Sequence, residues 1–420
     1  MTTVIWPHRV NPLLGIMKAD THHPEATSEA RPTARRLRIV MAGGGTGGHL
    51  YPGLAVAESL RAKTQASGHN LEILWAATPR SVDQRLLSHF GDHYIRQPVQ
   101  PLVRSIRKLW EFWKGWKHTC RFWADEFTQH QADCVVALGG YAAGPAAYVA
   151  AKRGIPIVLL NPDALPGLAN RFLLKRADVV VTQWPLAETY LKSIKGVAKD
   201  LGCPIRTELL KRDRARAAMR FNIDAAKRTL VITGASLGAK TINDAFLAML
   251  NDHAIRTAFQ NSSRKDSWQI IHLSGLEQEE SVRAAYAKWP EMQVRVIGYC
   301  DDMANVWSIA DLTIARAGAS TCAELTACGV PSILLPYPFH KDMHQKANAN
   351  ELAKVGAAVI VEDAKHAQIN ALAIKRALQS LLYDDDLRAR MADAASAVGK
   401  PDAADQIADE ILSRIGVMTR

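Results

Sequence analysis

An apolar strand that breaks into glycines and continues as a helix occurs twice in this chain, once near the start of each half. That repeat constrains the fold more than any other feature. The first copy runs from the β-like residues 37–42 through Gly43-Gly44-Gly45-Thr46-Gly47-Gly48-His49 to a helical pattern from Pro52, where Val56, Ala57 and Leu60 share one face. Residues 71–76 read as a second strand and complete a βαβ-like unit. The second copy runs from residues 228–233 through Gly234-Ala235-Ser236-Leu237-Gly238-Ala239 to a helix through Ala245, Phe246 and Leu250. Two such units predict an α/β protein of two Rossmann-like domains, with a ligand across the facing strand ends. The 420-residue length agrees, being long for a single core.

A glycine loop between strand and helix suits an anion. Glycine tolerates unusual backbone angles and close approach, and the first N–H groups of the helix lack partners. The spacing Gly43-x-Gly45-x-x-Gly48 satisfies the dinucleotide fingerprint, which is short enough to occur by chance. A dinucleotide enzyme also places Asp or Glu at the end of the second strand, where this chain has Trp75-Ala76-Ala77-Thr78. That absence counts against a nicotinamide-dependent oxidoreductase; NAD binding without UDP-sugar binding would revive it.

The formal charge of +11 points to anionic partners. It concentrates between residues 103 and 123, where Arg104, Arg107, Lys108, Lys114, Lys117 and Arg121 interleave with Trp110, Trp113, Trp116 and Trp123. Ile106, Trp110 and Trp113 fall on one helical side with cations beside them, a pattern suited to lying on an anionic membrane surface. An apolar side packed into the core, with the cations merely solvated, is the alternative. Nucleic-acid binding would explain the charge but not the paired glycine loops. The uncharged run 134–151 is long enough to imitate a membrane span, but Gly139-Gly140 and Gly144-Pro145 divide it into strand, loop and helix start. Six scattered cysteines form no C-x-x-C pair and read as reduced thiols in the cytosol. Residues 1–36 show no signal peptide and read as a disordered arm, with Met17 an alternative start. The expected organisation is a first domain over 37–206, a charged linker over 207–227, a second domain over 228–400, and a terminal helix over 401–420. That helix has one apolar face, Ile407, Ile411, Leu412 and Ile415, able to pack back on the first domain.

Further strands are expected at 132–138, 155–160, 177–182, 268–273, 294–297 and 312–315. The segment Arg316-Ala317-Gly318-Ala319-Ser320-Thr321-Cys322-Ala323-Glu324 opens a helix whose first amides can take a diphosphate, with Glu324 placed to accept from a ribose diol. The polar stretch from His340 to Asn348 opens another helix and could read sugar hydroxyls, although a plain N-terminal cap is an alternative. Arg206, in Gly202-Cys203-Pro204-Ile205-Arg206, could hold a phosphate.

In order along residues 37–400, the loop at 43–49 with its following Tyr-Pro-Gly-Leu-Ala-Val-Ala, the stretch 139–145, the turn 202–206, the loop 234–239, Asp301-Asp302-Met303, the 316–324 segment and the 336–349 segment resemble the MurG family of GT-B glycosyltransferases. That resemblance implies two Rossmann-like domains facing across a cleft and transfer of N-acetylglucosamine from UDP-GlcNAc to the undecaprenyl-diphosphate-linked muramoyl-pentapeptide of peptidoglycan synthesis. It implies inversion to a β-1,4 linkage, with no bound metal and no cofactor. By matching positions, Arg206, Ser236, Gly318, Ala319, Thr321, Glu324, His344 and Gln345 would bind the donor. Thr46, Gly47, Gly48, His49, Tyr141 and Asp163 would bind the acceptor. His49 is the candidate base, and Asp163 an alternative. Ile106, Arg107, Trp110, Trp113 and Lys114 fall where the family meets the membrane, which implies a peripheral protein at the cytoplasmic face, with other cell-wall synthesis proteins as possible partners.

The chain departs from the family where Leu160-Asn161-Pro162-Asp163 replaces the usual His-Glu-Gln-Asn. Ala235 and Leu237 stand for glycine and glutamine, Cys203 for asparagine and Ala317 for serine. A different lipid or glycan acceptor, or a non-catalytic UDP-sugar-binding protein, are the alternatives these changes leave open.

Overall fold

The computed structural model describes residues 34–89, 93–100, 106–235, 238–260, 267–339 and 342–417. The expected arm lies outside them up to residue 33, as does the donor candidate Ser236.

Two parallel sheets form the frame. The first has strands β1 (Arg36–Gly43), β2 (Asn70–Ala77), β3 (His93–Arg96), β4 (Cys134–Gly139), β5 (Ile157–Asn161), β6 (Val179–Thr182) and β7 (Val197–Lys199), in the spatial order β3-β2-β1-β4-β5-β6-β7. The second has β8 (Arg228–Thr233), β9 (Trp268–Leu273), β10 (Val294–Ile297), β11 (Leu312–Ala315), β12 (Ser332–Leu334) and β13 (Ala358–Ile360), in the order β10-β9-β8-β11-β12-β13. In each sheet the strand order reverses beside the first strand, between β1 and β4 and between β8 and β11. Such a switch point opens a crevice at the carboxyl ends, where ligands of open α/β sheets bind.

The connecting helices in the first half are α1 (Gly47–Ala66), α2 (Ser81–His89), α3 (Ile106–Gln129), α4 (Ala143–Arg153), α5 (Leu168–Leu174) and α6 (Glu188–Leu191). Central strands covered on both faces must be apolar throughout. All six residues of β4 and all five of β5 are buried, which accounts for the uncharged run 134–151: it is β4, a glycine turn and most of α4. Among the described residues no helix is long and apolar enough to cross a membrane. All six cysteines are free.

Residues 207–227 fold against the second half. A 3-10 turn, Thr207–Leu210, leads to α7 (Arg214–Phe221), whose Ala217, Ala218 and Phe221 are buried with Val306 and Trp307. The Arg214 guanidinium pairs with Asp311 at 2.9 Å. The remaining helices are α8 (Lys240–Met249), α9 (His253–Gln260), α10 (Glu279–Tyr286), α11 (Met303–Ile309), α12 (Ala319–Ala327), α13 (His344–Lys354), α14 (Ala367–Tyr383), α15 (Asp385–Ala397) and α16 (Ala403–Arg414). After α15 the chain returns to the first sheet. Ile407, Ala408, Ile411 and Leu412 of α16 are buried in one cluster with Leu50, Leu54 and Leu60 of α1, and Lys63–Asp409 and Lys199–Glu410 ion pairs flank them. An amphipathic terminal helix thereby covers apolar surface that α1 alone would leave in water.

Candidate active site

The first wall of the site is built at the β1/β4 crevice. Asp83, completely buried on α2, draws the glycine loop inward: its carboxylate accepts the Gly45 N–H at 2.7 and 3.0 Å, the Thr78 N–H at 2.7 Å and the Thr78 hydroxyl at 2.8 Å. Gly44 follows from this, since with φ at +157° an added Cβ would stand 2.2 Å from Asp83 Oδ2. The Gly45 amide is thus taken by Asp83. The amides left for a ligand are those opening α1, at Gly47 and Gly48, where Thr46 is the N-cap and makes no side-chain capping bond.

His49 stands in the first turn of α1, its ring laid against the β4 turn. A Cβ on Gly140 would come within 2.9 Å of its Cε1, so this turn must be glycine for the ring to sit there. His49 Nδ1 lies 3.3 Å from Gly44 O and 3.2 Å from the Thr46 hydroxyl. The carbonyl oxygen can only accept, so the network assigns the proton to Nδ1 and leaves a lone pair on Nε2. Burial lowers the His49 pKa below 6.5, opposed by the Gly44 bond and by the negative charges of Asp163 and Asp83. The ring is therefore neutral at pH 7, as a base must be.

The second wall is the start of α12. Gly318 is its N-cap without a side-chain capping bond, so the amides of Ala319, Ser320 and Thr321 face the cleft without helical partners. Glu324, on the same helix, accepts the Trp307 indole N–H at 2.8 Å. Burial raises its pKa, and the Trp307 bond and the Arg206 charge counter that. Arg206 lies with its guanidinium 4.9 Å from the centre of the Tyr51 ring and donates to Asp301 O at 3.1 Å. On α13, Gln345 Oε1 accepts the Tyr337 N–H at 2.9 Å. His344 Nε2 lies 3.3 Å from Asp342, and its buried Nδ1 has no partner among the described residues.

Between these walls lies a cleft of about 400 Å³, within the range of small-molecule sites. Thr46, Gly47, Gly48, His49 and Asp163 line it from one side, and Arg206, Gly318, Ala319, Thr321, Glu324, His344 and Gln345 from the other. Tyr141 does not line it. Its hydroxyl lies close to the glycine loop, 3.7 Å from where a Gly45 Cβ would be. Contacts that join the walls include the Tyr51 and Tyr299 hydroxyls at 3.3 Å, Ser320 Oγ and Gly48 O at 3.5 Å, and Asn348 with Asp163 at 2.8 Å, besides Arg206 against the Tyr51 ring. Asp83, Tyr51, Tyr299 and Trp307 are site residues that sequence reasoning missed, and Asn348, read there as part of a polar stretch, bonds to protein groups of both walls. Asp83 and Trp307 act on other protein groups, and no spacing announces that. Among the described residues no group of three or more His, Cys, Asp or Glu could hold a metal ion.

Away from the cleft, the tryptophans of α3 divide. Trp123 is fully buried and donates to Gln97 Oε1 at 2.9 Å, and Trp116 packs edge-on to Phe172 with ring centres 5.7 Å apart. Trp110 and Trp113 are 65% and 52% exposed. Lys114 Nζ lies 5.3 Å from the Trp110 ring centre, and Arg107 pairs with Glu111 at 3.2 Å. Ile106 is the first residue of α3.

Two parallel sheets whose switch points share one ligand-sized cleft define the GT-B fold, and the family matches make the class glycosyltransferase. Residues 39–182 match the N-terminal domain of glycosyltransferase family 28 and residues 229–407 its C-terminal domain. Within that class, the chain belongs to the MurG family. It is 34% identical over 385 residues to the UDP-N-acetylglucosamine–N-acetylmuramyl-(pentapeptide) pyrophosphoryl-undecaprenol N-acetylglucosamine transferase of Desulfitobacterium hafniense (strain Y51), covering 90% of this chain and 99% of that one. It is 32% identical to the protein of the same name from Thermodesulfovibrio yellowstonii, covering 90% and 100%. The crystal structure of Acinetobacter baumannii MurG superposes with a TM-score of 0.66 at 28% identity, over 90% of this chain and 99% of that one.

Proposed function

We propose that this protein transfers N-acetylglucosamine from UDP-GlcNAc to the undecaprenyl-diphosphate-linked N-acetylmuramoyl-pentapeptide, a step of peptidoglycan synthesis. The observation that carries the reading is that a neutral histidine with a free Nε2 and an uncapped helix start line the same cleft from opposite walls. The relatives' names supply the donor and the lipid-linked acceptor.

In this reading the donor lies along the second wall. Glu324, held by Trp307, accepts the ribose hydroxyls, while His344 and Gln345 meet the sugar. The diphosphate lies on the amides of 319–321, with Arg206 turning from the Tyr51 ring to meet it. The acceptor enters over Thr46, Gly47 and Gly48, with the Tyr141 hydroxyl close to the same loop. His49 Nε2 takes the proton from the acceptor hydroxyl as its oxygen attacks the anomeric carbon from the face opposite UDP. The bond to the diphosphate oxygen breaks and inversion results. Helix dipole and guanidinium together stabilise the charge that appears on the leaving group. Asp163 lies beside His49 as a second carboxylate of the acceptor wall and as the alternative base.

Membrane attachment is part of the same proposal. Trp110 and Trp113, exposed beside Arg107 and Lys114 on α3, suit the headgroup layer of an anionic cytoplasmic leaflet. The deciding experiment is incubation with UDP-GlcNAc and the lipid-linked muramoyl-peptide, following UDP release. A folded protein that binds UDP-GlcNAc but releases no UDP at any acceptor concentration would overturn the transferase reading, and turnover only with another glycan lipid would change the acceptor.

A further inference from the structure

Asn348 is fully buried on α13, one turn beyond His344 and Gln345, and its carboxamide reaches both walls of the cleft. Nδ2 donates to Asp163 Oδ1 at 2.8 Å and to Ala317 O at 3.1 Å, and Oδ1 accepts the Ala164 N–H at 2.9 Å. Asp163 and Ala164 follow β5 of the first sheet; Ala317 precedes the N-cap of α12 in the second. The orientation of this amide is forced. Flipping it would set its oxygen against a carboxylate and a carbonyl, and its NH2 against an N–H donor.

The bonds converge on one group. Asp163 lines the cleft, and among charged groups it acts most strongly on His49. Its backbone carbonyl is held by Asn161 Nδ2 at 2.9 Å, and among the described residues the only hydrogen bond to its carboxylate is the one from Asn348. The direction of that carboxylate is therefore decided by a residue of the opposite half of the molecule. So is the offset between the acceptor wall and the start of α12, because the same amide grips Ala317.

We propose that Asn348 is a positioning residue for glycosyl transfer: it holds the Asp163 carboxylate in the cleft beside His49, in register with the α12 helix start, and acts through Asp163 and not on substrate. The inference rests on the transferase reading above. A displacement of the acceptor wall by about 1 Å costs a reaction of this kind roughly 100-fold in rate. Loss of the Asn348 amide should therefore appear in kcat more than in donor binding.

The test is a double-mutant cycle on UDP release, with Asn348→Ala, Asp163→Asn and the pair together. Asn348→Ala is expected to lower kcat about 30- to 100-fold with the UDP-GlcNAc KM within about threefold of the parent. Asp163→Asn should give a similar loss, and the double variant should be no more than about threefold worse than either, because both remove one interaction. Multiplying losses, or a loss confined to donor KM, would overturn the proposal. Asn348→Ala leaves one buried and two partly buried groups without this partner and can fail to fold, so the exchange Asp163→Asn with Asn348→Asp is made as well. It preserves a side-chain bond between the two positions and an acceptor for Ala164 N–H, while moving the carboxylate to the other wall. The exchanged protein is expected to melt below the parent, because a buried carboxylate oxygen now faces Ala317 O, and, assayed below that melting temperature, to keep a kcat as low as that of Asp163→Asn. Recovery of parental kcat would show a simple clasp and refute a role through the carboxylate. A parent protein without turnover would refute the transferase reading and this role with it, whereas turnover with multiplying losses would refute this role alone.

Discussion

Replacing Asp83 by alanine tests how the glycine loop is held. The carboxylate is completely buried and receives four hydrogen bonds from three donors, the N–H groups of Gly45 and Thr78 and the Thr78 hydroxyl. The hydroxyl can rotate to another acceptor, but the two amides cannot, and a buried amide left unpaired costs about 1–3 kcal/mol. Removing the ion also removes its desolvation cost, which offsets part of the loss. The net expectation is about 3 kcal/mol of destabilisation in the first half, seen as a lower urea midpoint by tryptophan fluorescence. Gly44 O is the partner of His49 Nδ1, so loosening the loop turns the imidazole as well, and kcat for UDP release should fall on the order of 100-fold. Gly44→Ala should produce the same pattern, since its Cβ would stand 2.2 Å from Asp83 Oδ2. Once Asp83 is alanine the clash is gone and only the backbone strain of a Cβ at φ +157° remains, so the double variant should lose less than the two single losses combined. An Asp83→Ala protein with parental midpoint and kcat would refute the argument that this carboxylate shapes the loop.

Other outcomes follow from the same geometry. Burial depresses the His49 pKa, so the acid limb of kcat/KM should inflect below pH 6.5, with activity level above it. The matching stability contribution is complete above pH 6.5 and is lost as pH falls toward the folded value. Asp163→Asn removes a charge that raises this pKa and should move the inflection lower still; an inflection above pH 7 in the parent would contradict the assignment of His49 as base. Trp307→Phe deletes the indole N–H that orients Glu324, a bond to a charged group worth about 1.5–3 kcal/mol. The UDP-GlcNAc KM should rise about tenfold or more with kcat little changed, which steady-state kinetics would show. Replacing Arg107 and Lys114 of α3 by glutamine should weaken sedimentation with anionic vesicles by about 2 kcal/mol, roughly 30-fold, and leave binding to neutral vesicles unaffected.

Much of the architecture was legible in the residues because it repeats. Apolar strands, glycine breaks and amphipathic helices recur in both halves, and local periodicity reports such elements directly. The cleft residues found from sequence share a simple property: His49, Gly318 and Glu324 are chemically distinct groups placed at fixed offsets from a strand end or helix start. Ser236 was named by its match to the family and lies outside the described residues. Tyr141 was placed with the acceptor loop by its motif, and its hydroxyl lies close to that loop without lining the cleft.

Sequence alone thus determined the two sheets' kind, the crevices where a ligand would meet them and the polar groups at strand and helix ends, since these depend on neighbours a few residues apart. Tertiary structure decided which of those groups can act. Asp83 takes the glycine loop's Gly45 amide, Trp307 aims Glu324, and Asn348 fixes Asp163 from a helix 185 residues further along the chain. The same holds for α3, where four tryptophans look alike in sequence, yet Trp123 is core and Trp110 is surface. Hydrogen-bond saturation and burial are set by contacts between distant segments, and only the packed molecule brings those segments together.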